Sequence, residues 1–139
     1  MIQRIQSVWL LLAAVCALLS LKLSFYTGIL INDPKRLLVS LNSTTTIPIV
    51  ITAVSVGIAS LVAIFLYKDR KMQMRILFAI LLASLLLIFL YFSYVKRSYT
   101  EGSYDITAPV IFLVPLFLLL ALRGIYKDQK LVKSLDRIR

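Results

Sequence analysis

Tyr67-Lys68-Asp69-Arg70-Lys71-Met72-Gln73-Met74-Arg75 lies at the midpoint of the chain, flanked on each side by about twenty mostly apolar residues, enough to cross a bilayer as helix. Four cations fall within the eight residues from Lys68 to Arg75. Translocating this loop would drag each of them through hydrocarbon, so it is expected to stay on the cytoplasmic side of a membrane. Two apolar stretches precede the loop and two follow it. The chain therefore reads as two membrane hairpins joined in the cytoplasm with both termini inside. The expected fold is all-α, a single membrane domain over 1–139: an integral membrane four-helix bundle with a basic amphipathic C-terminal tail.

Composition supports that reading. Of 139 residues 60% are hydrophobic and the mean hydropathy is +0.93, above what a globular fold can hide. The net charge of +10 could suggest nucleic acid. The cations, however, avoid the apolar stretches and gather at their ends, as a membrane protein requires, so no nucleic-acid partner is expected. One cysteine and no histidine exclude an intrachain disulfide, an imidazole metal or haem ligand, and His-based acid/base catalysis.

The first helix is expected over 8–26, with Trp9 and Tyr26 at the two interfaces. Arg4 before an apolar run imitates a secretory signal. Yet Ser20-Leu21-Lys22-Leu23-Ser24 offers no charge-free small-x-small cleavage site, and Val15 stands where a lipoprotein site needs a small residue before Cys16. Lys22 is expected to snorkel to the outer interface. The outer segment 27–46 carries a turn signal at Asn32-Asp33-Pro34 and an apolar run at 37–41 that suits either a strand or the membrane surface. Asn42-Ser43-Thr44 fits a glycosylation sequon and is assigned no role.

Helix two is expected over 47–67, with Pro48 in its first turn. Ser55, Ala59 and Ala63 recur every fourth residue, with Gly57 and Ser60 beside them. Lipid supplies no hydrophobic force between helices, so this small-residue row is expected to be the packing seam. Helix three is expected over 76–95, with Tyr91, Phe92, Tyr94 and Tyr99 forming an interfacial belt at its outer end. Helix four is expected over 107–126, with Pro115 kinking it. From Arg123 through the tail, 127–139, Ile125, Leu131, Val132, Leu135 and Ile138 oppose Lys127, Lys130, Lys133, Arg137 and Arg139, a pattern for anionic lipid in the cytoplasmic leaflet or for a partner protein. This topology leaves eleven Lys and Arg inside and five outside, which together make the sixteen in the sequence.

No Asp, Glu or His falls inside the four stretches. A coupled transporter usually keeps an ionisable group near the midplane. Small four-helix multidrug exporters resemble this chain in size but depend on a membrane-embedded glutamate. Quinone-linked thiol oxidases need paired cysteines, and an intramembrane hydrolase needs a Ser with a base or two aspartates. With no Gly-rich phosphate loop or metal-ligand cluster either, no enzyme activity and no cofactor are expected.

Three stretches carry a family resemblance: the start, Met1-Ile2-Gln3-Arg4-Ile5-Gln6-Ser7-Val8-Trp9; the central loop, with its Arg70-Lys71-Met72-Gln73-Met74-Arg75 core; and the ending, Lys127-Asp128-Gln129-Lys130-Leu131-Val132-Lys133-Ser134-Leu135-Asp136-Arg137-Ile138-Arg139. Together they resemble a family of Bacteroidota membrane proteins catalogued as domain of unknown function 4293. Gln129 stands in place of the family's usual glutamate, Leu135 of its alanine, and Tyr126 where arginine is common. The resemblance implies a four-helix, multi-pass inner-membrane protein and no particular activity. All three stretches are expected on the cytoplasmic face. The candidate lipid- or partner-binding residues are therefore Arg4, Lys68, Arg70, Lys71, Arg75, Lys130, Lys133, Arg137 and Arg139. The preferred function is a non-enzymatic scaffold or accessory subunit docking anionic lipid, a membrane-protein partner or a second copy of itself. The alternative is a small oligomeric transporter or channel lined by the helix-two seam and the Pro115 kink.

Overall fold

A computed structural model describes residues 2–31, 35 and 37–136, with the side chains of residues 2–4, 68 and 133–136 outside that description. Four helices dominate: α1 (Ile2–Leu19), α2 (Ile47–Phe65), α3 (Arg70–Ser98) and α4 (Pro109–Asp136). The helices pack in a ring, α1 against α2 and α4, and α3 against the same two. An all-α fold is corrected by three strands, β1 (Ser24–Leu30), β2 (Leu38–Asn42) and β3 (Tyr99–Tyr104), which form an antiparallel sheet in the order β2-β1-β3.

The sheet accounts for the first departure from expectation. α1 stops at Leu19 rather than Tyr26. Ser20 turns its hydroxyl back onto the Ala17 carbonyl at 2.7 Å, the chain bends, and Ser24-Phe25-Tyr26-Thr27 enters β1. Aromatic and β-branched residues suit a pleated, half-buried surface, and a short apolar run does not by itself distinguish strand from helix. Pairing with Leu38–Leu41 on one side and Glu101–Tyr104 on the other decides between them. The strand alternative for the apolar run at 37–41 is the one adopted, while the turn at 32–34 lies outside the described residues.

α2, α3 and α4 are each long and apolar enough to cross a membrane. The described apolar part of α1, Ile5–Leu19, is shorter than such a span because the turn at Ser20 cuts it off. α3 begins at Arg70, six residues before the expected 76, because the Asp69 carboxylate caps it by accepting from the Met72 amide at 3.2 Å. α4 runs unbroken through Pro115 and absorbs the first ten residues of the expected tail, to Asp136.

The core has two storeys. One joins Leu10, Ala13, Ala17, Val56, Ala63, Leu77, Leu118 and Ile125. The other lies under the sheet and joins Phe25, Leu41, Ile49, Ala53, Leu87, Tyr91 and Ile111. Tyr91 is not a belt residue. It is fully buried, its hydroxyl against Ser43, which itself donates to the Ser20 carbonyl at 2.7 Å. Around the outside run large exposed apolar side chains, among them Ile51, Ile58, Phe65, Phe78, Leu82, Leu86, Phe89, Phe112, Leu116 and Leu119. Contiguous apolar surface on this scale is a mark of a bilayer or partner face rather than of water.

Candidate functional site

Because the sheet joins the α1–α2 and α3–α4 connections at one end, the outer ends of α1 and α4 meet the α2–α3 turn at the other. Two buried glutamines hold that basic end together. Gln6 of α1 donates from Nε2 to Asp128 of α4 at 3.0 Å, and Gly124 gives it room: a Cβ there would stand 2.9 Å from the Gln6 Cγ. Gln73 of α3 donates to the Ala63 carbonyl of α2 at 2.8 Å. That carbonyl sits in the last turn of α2, where no intrahelical partner exists, so Gln73 satisfies an orphan acceptor.

With Asp69 and Asp128 engaged in this way, the cations around them are left facing outward. Lys71, Arg75, Arg123, Lys127 and Lys130 are all exposed. Arg70 is half-buried, with one terminal nitrogen enclosed and no hydrogen-bond partner among the described residues. The side chains of Arg4, Lys68 and Lys133, and all of Arg137 and Arg139, lie outside the described residues. Between α3 and α4 opens a groove of about 740 Å³ lined by Lys71, Met74, Arg75, Phe78, Leu122 and Gln129.

The helix-two seam is rotated from its expected place. Gly57, Ser60 and Ala63 are buried and Ala59 is half-buried, but Ser55 is exposed, its hydroxyl on the Thr52 carbonyl of its own helix at 2.9 Å. Ile49, Ala53 and Val56 complete the buried face instead. Gly57 meets Leu18, where a Cβ would come within 2.9 Å of the leucine methyl. At Gly57 the seam is therefore filled by α1.

Chemistry at the basic end is electrostatic and apolar. Among the described residues, no three His, Cys, Asp or Glu side chains come together as a metal-binding group. A family model described as Domain of unknown function (DUF4293) matches residues 2–138. The chain belongs to that family. The DUF4293 match covers all three stretches that carry the resemblance except the terminal residues Met1 and Arg139, and the structure gives each a structural part: Gln6 of the start bonds Asp128 of the ending, and Gln73 of the central loop bonds the Ala63 carbonyl. Reasoning from the sequence treated both as parts of a motif and missed their role. Their signal was available, since each is an uncharged polar residue beside an apolar stretch, where a buried amide needs a partner. No curated protein and no solved structure matches this DUF4293 chain.

Proposed function

We propose that the protein is a non-enzymatic scaffold or accessory subunit of the bacterial inner membrane, with its termini and central loop cytoplasmic, whose basic end docks a partner protein or the anionic leaflet. One observation carries this reading: Lys71, Arg75, Arg123, Lys127 and Lys130 are exposed together at one end of a bundle whose sides are apolar. Each cation held near an anionic membrane surface contributes about 1 kcal/mol, so several acting together orient and retain the bundle. The continuity of α4 into its basic last turns supports the same role, because a rigid helix presents these charges at fixed spacing. Support for a scaffold over a transport path comes from the α2 seam, which Leu18 fills at Gly57.

The test is purification in native lipid at endogenous level, followed by mass spectrometry of what stays bound. The variant neutralises Lys130, Lys133, Arg137 and Arg139 to Gln. It is expected to insert normally and to lose its co-purifying partner. Retention of the same partners by the variant would overturn the proposal.

A further inference from the structure

The groove between α3 and α4 combines cations with apolar side chains. Lys71, Met74, Arg75 and Phe78 are spaced i, i+3, i+4 and i+7 and so share one face of α3. Leu122 and Gln129, seven apart, face them from α4. The groove is graded along its length: two cations and an amide at the basic end, then Met74, Leu122 and a largely exposed Phe78 toward the apolar sides of the bundle.

No carboxylate lines it among the described residues. Asp69 accepts from the Met72 amide and Asp128 from Gln6. Lys71 and Arg75, four apart on a helix, repel each other, and an anion placed between them would relieve that repulsion. The space, about 740 Å³, lies within the range of small-ligand clefts. A soluble anion would leave Met74, Phe78 and Leu122 uncovered, and a neutral lipid would leave the cations unpaired.

We propose that this groove is a binding site for one anionic phospholipid per chain, with its phosphate between Lys71 and Arg75, its glycerol ester region within reach of the Gln129 amide, and an acyl chain along Phe78 and Leu122. The site deepens the docking reading above and rests on it. Its distinct content is a stoichiometric lipid held between two helices, in place of a diffuse attraction to the leaflet. Arg supplies a planar fork that matches phosphate oxygens and Lys a point charge, and the adjoining Met74, Phe78 and Leu122 favour a phosphate that carries acyl chains.

The experiment is native mass spectrometry of the full chain in detergent, titrated with phosphatidylglycerol or with phosphatidylcholine of the same acyl length. The unsubstituted chain is expected to bind one phosphatidylglycerol in preference to phosphatidylcholine. Lys71→Gln/Arg75→Gln is expected to weaken phosphatidylglycerol about thirtyfold, for two surface cations, and to leave phosphatidylcholine unchanged. Phe78→Ala keeps both charges and is expected to weaken both lipids. A control, Lys127→Gln/Lys130→Gln, removes two cations outside the groove lining and is expected to leave the single high-affinity lipid in place. Equal binding of the two lipids by the unsubstituted chain, or equal loss in the groove and control variants, would overturn the site. If the groove variants keep their lipid while the tail variant of the preceding section loses its partner, the groove assignment fails and the docking reading stands. If both sets of variants behave as the unsubstituted chain, both fail.

Discussion

Gln73 and Tyr99 are both buried polar side chains, and their opposite circumstances lead to opposite expectations. Gln73 satisfies the Ala63 carbonyl. Removing the amide leaves that acceptor buried, at a cost of about 1–3 kcal/mol. Tyr99 packs edge-on against Tyr26 with ring centroids 5.2 Å apart, yet its hydroxyl is enclosed without a hydrogen-bond partner among the described residues. Deleting that oxygen removes an uncompensated desolvation penalty. Reversible unfolding in mixed micelles is therefore expected to show Gln73→Ala destabilised by that amount and Tyr99→Phe equal to or more stable than the unsubstituted protein. A less stable Tyr99→Phe would show that the hydroxyl finds a partner. Burial also pushes the Tyr99 phenol above its ordinary value, with Tyr94 and Tyr26 adding to the effect. Burial thus favours the protonated ring in the fold. The resulting contribution is fully present below the ordinary tyrosine value, about 10, and is lost as pH rises through the raised one. Tyr99→Phe is expected to flatten that alkaline loss.

At the scale of elements, the sheet depends on two glycines that face each other. Gly28 of β1 pairs with Gly102 of β3, and a Cβ on Gly28 would meet the Glu101 carbonyl oxygen at 2.5 Å. The Tyr26 ring lies over both, 2.8 Å from where either Cβ would stand. Aromatic cover of paired glycines fixes register, because only side-chain-free backbone admits the ring. Thr27 donating to Asp105 at 2.9 Å and the Asp105 amide donating to the Phe25 carbonyl at 3.2 Å then tie this sheet to the start of α4. Gly102→Ala is expected to cost about 1–3 kcal/mol by overpacking and to expose the α3–β3–α4 connection to protease while the helices stay folded. Limited proteolysis with circular dichroism checks this. Unchanged protease resistance would mean that the strand shifts to admit the methyl. Neither glycine stood out in the sequence, since Gly28 lies in what reads as the first outer segment and Gly102 in what reads as a loop.

For the whole molecule, the orientation proposed from the positive loop assigns the sheet to the outer face and the glutamine-tied end to the cytoplasm. In a Cys16→Ala background, Ser103→Cys is expected to react with a membrane-impermeant maleimide on intact cells, and Lys71→Cys only after permeabilisation. The reverse pattern would invert the topology and remove the anionic leaflet as the surface that the basic end meets. Much of the architecture was legible beforehand. Four apolar stretches, their junctions and the gathering of cations at one end follow from hydropathy and charge, which act locally and need no partner to be read. The short α1, the sheet, the buried Ser43–Tyr91 contact, the rotated α2 seam and the α3–α4 groove were not legible. The apolar pattern is nearly uniform around each helix, so periodicity cannot tell the packed face from the exposed one, and Ser55 reads like Ala63. The residues of β1 suit helix and strand alike until β2 and β3 offer hydrogen bonds. The sequence by itself determined how many apolar stretches there are and where the charges lie along the chain. Only the tertiary structure decided which small residues touch, which polar residues are paired and which cations line a groove, because each of those depends on what stands opposite.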